Sequence, residues 1–126
     1  MKTVEELLEL IDVKYHEAKR LNLSRFDLWW GEWSALMNRS LRGRIKGNPN
    51  DLRLKYLFVY WSLRSQLLEL HYKHKLFRRK EKRDIVDELK TIREMIMSGE
   101  GMEPLSENDL IMLCLKGVVK SESSIG

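Results

Sequence analysis

The chain has 126 residues, of which 43% are apolar and 33% are charged, with a formal net charge of +4. A chain of this length can bury roughly two-thirds of its unfolded surface, enough for one core without a disulfide or structural metal. Its single cysteine, Cys114, excludes an intramolecular disulfide and favours a reducing compartment. We expect one globular domain over residues 1–117 with a flexible tail at 118–126, located in the cytoplasm and without secretion or membrane insertion.

A first helix is predicted over about residues 4–21. Thr3 and Glu6 form a capping-box pattern, in which each side chain satisfies a backbone N–H at the start of the helix. Apolar residues follow at intervals of one to four, which places them on one helical face: Val4, Leu7, Leu8, Ile11, Tyr15 and Ala18. We expect this face to pack into the core.

A second helix is predicted to begin after Ser24, which forms an N-capping pattern with Asp27, and to reach about residue 38. Asn22 is expected to end the first helix. The segment 38–50 contains two glycines, a proline and three asparagines, and these residues predict a loop.

Three tryptophans of the second helix lie on its apolar stripe. Trp29, Trp30 and Trp33 share that stripe with Phe26 and Met37. This spacing favours core packing for at least two of the three indoles. Trp30 lies at the edge of the stripe and is the candidate for binding a partner or ligand.

The longest helix is predicted over about 49–79, opened by Asn48 as the N-cap and Pro49 at the first helical position. One face carries an apolar stripe: Leu52, Tyr56, Val59, Leu63, Leu67, Leu70 and Phe77. The opposite side of its first half is also apolar: Leu54, Leu57, Phe58 and Trp61. A helix that is apolar on several sides is surrounded by others, so we place it at the centre of a bundle, with two basic edges facing solvent.

Two further helices are predicted. The fourth, over about 84–97, is indicated by apolar residues at intervals of four, three and four, namely Ile85, Leu89, Ile92 and Ile96, and by Gly99 after its end. Ser106 with Asp109 opens a short fifth helix that turns Leu110, Leu113 and Cys114 inward and stops at Gly117. The predicted fold class is therefore all-α, a small bundle of four to five helices around a long central helix.

The charge is unevenly distributed along the chain. Residues 38–83 contain fourteen basic and three acidic residues, a net charge of +11, whereas residues 1–37 and 84–126 have net charges of −2 and −5. Such an asymmetry is typical of a surface that binds a polyanion. The alternative is that the acidic flanks fold over the basic middle and neutralise it through surface ion pairs.

Two clusters of bases are the candidate nucleic-acid-binding residues. They are Arg39, Arg42, Arg44 and Lys46 in the predicted loop, and Lys73, Lys75, Arg78, Arg79, Lys80, Lys82 and Arg83 near the end of the central helix. Lys and Arg contact phosphates, and the neighbouring Tyr72 and Phe77 could stack on unpaired bases. The alternatives are a solvated surface and, for the second cluster, simple stabilisation by the negative end of the helix dipole.

Metal binding and cofactor chemistry are not predicted. His71 and His74 lie three residues apart on a helix, but His16 and Cys114 fall in other elements without ligand spacing. The sequence contains no glycine-rich phosphate loop and no nucleophile motif. We therefore expect no cofactor and no metal.

The stretch from Arg64 to His71 resembles the loose Arg-x4-6-His pattern of the HEPN superfamily. The resemblance covers eight residues, and Ser65 follows the Arg where that family often has Asn, Asp or His. It implies a dimeric all-α ribonuclease in which Arg64 stabilises the scissile phosphate and His71 serves in acid–base chemistry. The alternative is that Arg64 and His71 have no catalytic role and lie on a solvated basic edge of the central helix.

The sequence leaves three candidate functions. The first is a non-enzymatic accessory protein that binds the nucleic-acid backbone, DNA or RNA, without strong sequence preference. The second is an adaptor that binds an acidic protein partner and uses apolar side chains, Trp30, Met95, Met97 and Met102, as a docking patch. The third is the HEPN-like ribonuclease. A homodimer is compatible with each of them.

Overall fold

The computed structural model describes residues 3–47, 52–73 and 79–115. Within these ranges the chain forms five helices and no strand, so the predicted all-α class is confirmed. The helices are α1 (Val4–Lys19), α2 (Leu23–Gly47), α3 (Leu52–Lys73), α4 (Arg79–Ser98) and α5 (Glu107–Cys114). None of the described helices is long and apolar enough to span a bilayer.

Helix α3 is the centre of the bundle, as its two apolar sides predict. It packs against α1, α2, α4 and α5. Seven of its buried residues come from the two predicted sides: Leu54, Tyr56, Leu57, Val59, Trp61, Leu63 and Leu67. Tyr60 and Leu68, which neither predicted side included, are buried as well. Burial of apolar area on several faces of one helix stabilises the domain without any disulfide.

The predicted inner faces of α1 and α4 are confirmed. All six predicted apolar residues of α1 are buried, and so are Ile85, Leu89, Ile92 and Ile96 of α4. The Thr3 hydroxyl accepts a hydrogen bond from the backbone N–H of Glu6 at 3.1 Å, which is the Thr3 half of the predicted capping box. The Ser106–Asp109 capping box of α5 is also formed. Gly117 lies outside the described residues.

Contacts between the helices establish their directions. Arg53, at the start of α3, donates to the backbone carbonyl of Ile96, at the end of α4, at 3.2 Å, so these two helices are antiparallel. Arg53 also pairs with Glu5, whereas Tyr72, near the end of α3, meets the end of α1, so α1 and α3 run in the same direction. Because Phe26 at the start of α2 stacks on Tyr72, α2 is antiparallel to α3.

The predicted loop over 38–50 is wrong for residues 38–47, which continue α2 as far as Gly47. Met37, Leu41 and Ile45 recur at intervals of four and extend the helical pattern. Within this extension Gly43 is the one glycine before the last residue, and an internal glycine costs a helix only about 1 kcal/mol. No proline intervenes before residue 49. The predicted cap at Asn48 and Pro49 lies outside the described residues.

Asn22 begins α2 instead of ending α1, and Ser24 is not the N-cap. The Asn22 side-chain carbonyl accepts from the backbone N–H of Arg25 at 3.1 Å, which is the N-cap contact. Ser24 lies inside the first turn and donates its hydroxyl to Asn22 at 2.7 Å. Helix α1 ends earlier than predicted, with Arg20 as its C-cap.

The boundary between the third and fourth helices also differs from the prediction. Helix α3 is described to Lys73, and α4 begins at Arg79, five residues before the predicted start. Lys and Arg are good helix formers, so nothing in the basic run 79–83 marks a break between two helices. These bases therefore open α4.

Candidate nucleic-acid interface

Four helix termini meet at one end of the bundle. Tyr72 of α3 joins them: its hydroxyl donates to the backbone carbonyl of Leu21 at 2.7 Å and also contacts that of Ala18. Its ring stacks on Phe26 of α2, with centroids 4.3 Å apart. Because α4 is antiparallel to α3, its first residue Arg79 lies beside the same end.

Bases from all four helices gather at this end, which we call the basic end: Lys19, Arg20, Arg25, Lys73, Arg79, Lys80, Lys82 and Arg83. All but Lys73 and Lys82 have exposed side chains; Lys82 is half-buried, and the side chain of Lys73 lies outside the described set. Acids are interspersed, at Glu17, Asp27, Glu69, Glu81 and Asp84, so the positive charge is a net excess. Lys19, Arg20 and Arg25 were missed by the sequence analysis because their third of the chain is acidic overall.

The bases of α4 lie at the unfavourable end of the helix dipole. Four of its first five residues, from Arg79 to Arg83, are basic, and Glu81 is the one acid among them. The N-terminus of a helix carries partial positive charge, so cations there are destabilising and anions are stabilising. The alternative that the helix dipole itself favours this basic run is therefore wrong for residues 79–83.

The other predicted cluster lies toward the opposite end of the bundle. Arg39 is exposed on α2, and Arg42, Arg44 and Lys46 belong to the last turns of that helix, where side chains are outside the described set. At 1.5 Å per residue, α2 rises about 20 Å from Phe26 to Arg39 and about 30 Å to Lys46. The two predicted clusters are thus not one continuous surface. Lys75, Arg78 and the neighbouring Phe77 lie outside the described residues.

Arg64 lies in a partly buried ionic network and not on the solvated edge that its helical position predicts. Its guanidinium donates to one carboxylate oxygen of Asp12 from Nε at 3.0 Å and from Nη2 at 2.8 Å. The Tyr60 hydroxyl donates to the same oxygen, and Arg93 approaches the other one at 3.5 Å. The Arg64 guanidinium also lies over the ring of Tyr15, 4.5 Å from its centroid.

The environment shifts the pKa of both α3 members of this network. Burial, followed by the hydrogen bond to Asp12, raises the pKa of Tyr60 to about 12. Burial opposes the charge on Arg64, but interaction with Tyr60 and Asp12 raises its pKa overall. The network is therefore a neutral phenol held beside a compensated ion pair. His71, the other residue of the Arg-x-His pattern, contacts Tyr72 edge-on at 5.1 Å.

Acids of α1 pair with bases of α3. Such internal pairing is the alternative to polyanion binding that the charge distribution left open. Besides the Asp12–Arg64 pair, Glu5 accepts from Arg53. The half-exposed Glu5 has a lowered pKa, through a backbone hydrogen bond and its contact with Arg53. Two bases of the middle third, Arg53 and Arg64, are therefore paired with acids of α1, and the exposed bases of the basic end lie apart from these two pairs.

The tryptophans form an aromatic cluster between α2 and α3. Trp33 is buried, and Trp29 and Trp30 are half-buried against the core. The centroid of Trp30 lies 5.9 Å from that of Phe26 and 5.2 Å from that of Trp33. Trp30 thus combines packed contacts with partial exposure.

Among residues 3–47, 52–73 and 79–115, no three His, Cys, Asp or Glu side chains cluster as metal ligands would. Cys114 is half-buried, and burial raises the pKa of its thiol. Comparison of the chain with protein-family models, with curated proteins and with solved structures gives no match.

Proposed function

We propose that this protein is a non-enzymatic nucleic-acid-binding accessory protein that contacts the phosphate backbone through the basic end. The observation that supports this function is the meeting of exposed bases from two separate chain segments, 19–25 and 79–83, at one end of the bundle, around Tyr72. In α4 these bases lie at the positive end of a helix dipole. Bases in this position lower the stability of the free protein, and a bound phosphate restores that stability.

The expected binding mode is electrostatic and independent of base sequence. Lysine and arginine side chains neutralise phosphates and release condensed counterions, so affinity falls steeply with salt. The basic end presents side chains that reach phosphate oxygens from several helices, and it carries no base-reading motif. Binding is therefore expected for DNA and RNA alike, with weak discrimination between sequences.

Titration of labelled DNA and RNA by fluorescence anisotropy, at about 50 and 200 mM salt, tests the proposal. Arg83→Glu lies at the basic end, and Lys90→Glu makes the same charge change on an exposed residue two turns further along α4. We expect Arg83→Glu to lower affinity at least tenfold and Lys90→Glu only slightly. Absent binding at low salt, salt-independent binding, or equal loss in the two variants would overturn the proposal.

A second candidate function, an adaptor for an acidic protein partner, is favoured by exposed apolar side chains. Leu28 on α2 is 74% exposed, and Ile111 and Met112 on α5 are each 54% exposed. Of the methionines predicted to form a docking patch, Met97 is exposed, whereas Met95 and Met102 pack against the core. Stoichiometric co-purification of a protein partner that is lost in Ile111→Ser, with no nucleic acid retained, would support the adaptor function over nucleic-acid binding.

A further inference from the structure

A continuous run of aromatic rings extends from the basic end along the α2–α3 interface. Tyr72 stacks on Phe26, which lies within 6.4 Å of both Trp29 and Trp30. Trp29 and Trp30 each contact Trp33, at 5.7 and 5.2 Å. Beyond them the run continues through two rings of α3, Trp61 and Phe58.

The rings of this run differ in accessibility. Phe26, Trp33 and Trp61 are buried, whereas Trp29 and Trp30 are half-buried, as are Tyr72 and Phe58. Arg25, an exposed base of the basic end, lies four residues before Trp29 and thus on the same side of α2. Partly accessible indoles therefore lie one to two helical turns from exposed cations.

This arrangement favours a particular form of nucleic acid. In a duplex the base faces are stacked inside and only their edges are accessible, so an indole has no base face to contact. In a single strand the base faces are free, and proteins bind them by placing aromatic side chains beside a positively charged track for the backbone. Cations alone would bind both forms.

We infer that the basic end binds single-stranded nucleic acid, with phosphates on Arg25 and the neighbouring bases of the end and with one or two nucleobases stacked on Trp29 and Trp30. The inference rests on the proposed function, because the phosphate contacts place the strand. Tyr72 and Phe26 serve as the packed support of the two indoles. Their mutual stacking and the hydrogen bond from Tyr72 to α1 hold the α2 terminus in place.

The first test uses the unaltered protein and three probes of equal length, about 20 nucleotides, which exceeds the usual site of one small binding domain. They are a single strand, its duplex and an abasic oligomer that keeps every phosphate but has no bases. We expect the single strand to bind about tenfold or more tightly than the abasic oligomer, and also more tightly than the duplex, with quenching of tryptophan fluorescence.

Equal affinity for the single strand and the abasic oligomer would overturn the stacking inference and leave the phosphate-binding function intact. Failure of all three probes to bind at low salt would overturn both proposals. Duplex binding that equals or exceeds single-strand binding would also contradict the inference. The comparison of the single strand with the abasic oligomer therefore separates base stacking from phosphate contact.

The second test uses Trp29→Leu and Trp30→Leu, with Leu28→Ala as the matched control on the exposed side of α2. The readout is the ratio of single-strand affinity to abasic-oligomer affinity. Partial unfolding lowers both affinities together and leaves that ratio unchanged. We expect the ratio to fall toward one in the tryptophan variants and to remain high in the control; an unchanged ratio in both tryptophan variants would contradict the inference.

Discussion

Asp12 of α1 accepts two hydrogen bonds from the Arg64 guanidinium of α3, at 2.8 and 3.0 Å, with both side chains more than four-fifths buried. The pair joins two helices that are separated by the whole of α2 in the sequence. Tyr60 and Arg93 complete the environment of the carboxylate. Because Arg64 is held in this way, its first role in the folded protein is structural.

Asp12→Ala is expected to lower the free energy of unfolding by about 3 kcal/mol, because it leaves the Arg64 guanidinium partly buried without its carboxylate. Arg64→Met keeps the aliphatic packing and should cost less. Urea unfolding of both single variants and the double variant gives the coupling energy, which we expect to be about 1–3 kcal/mol. Additive single effects would show that the two side chains contribute independently.

Stability is expected to fall at alkaline pH through Tyr60. Its folded-state pKa is raised to about 12, so between pH 10 and 12 the phenol ionises in the unfolded chain while it stays protonated in the folded one. The unfolded state then binds fewer protons, and the free energy of unfolding decreases as pH rises. Tyr60→Phe should cost about 1–2 kcal/mol near neutral pH and make this alkaline decline shallower.

Chemical denaturation at several pH values between 8 and about 11.5, below the raised folded-state pKa, measures this effect. Burial also raises the pKa of Tyr15, so a smaller decline should persist in Tyr60→Phe. An unchanged slope in that variant would show that Tyr60 does not carry the dependence.

Arg79→Glu is expected to change stability and binding in opposite directions. It replaces a cation by an anion at the first residue of α4, so it should raise the free energy of unfolding by roughly 0.5–1 kcal/mol. The same change should weaken nucleic-acid binding at least tenfold. Thermal unfolding and anisotropy measure the two effects, and Lys90→Glu should produce neither. Loss of stability in Arg79→Glu would contradict the placement of this residue at the helix start.

Asn22→Ala is expected to cost about 1 kcal/mol, because Asn22 caps the first turn of α2. Ser24→Ala removes only an exposed hydrogen bond to Asn22 and should cost about 0.5 kcal/mol or less. Denaturant unfolding compares the two variants. A larger loss for Ser24→Ala would restore Ser24 as the cap that the sequence pattern predicted.

The inner faces of the helices were predictable because burial imposes a period on the sequence. The apolar face of α1 and the stripe from Ile85 to Ile96 in α4 follow the 3.6-residue repeat and are buried. The central position of α3 followed from its second apolar side. Helix boundaries were less predictable: Asn22 carries signals both for a helix end and for a helix start, and only the backbone direction distinguishes the two.

The surface was the least predictable part. Local charge counting found the basic run at 79–83 but placed it at the wrong helix terminus, and it overlooked Arg25 in an acidic third of the chain. It also gave no sign that the length of α2 separates the two predicted basic clusters. Exposed charges have no periodic constraint, so their spatial grouping depends on how the helices are arranged.

The sequence by itself determined the all-α class, the inner faces of the helices and the central position of α3, because each of these depends on local periodicity and burial. Only the tertiary structure decided that Arg64 is paired with Asp12 and that bases from several helices meet around Tyr72. Such groupings depend on contacts between residues some 50 positions apart, which no local pattern encodes.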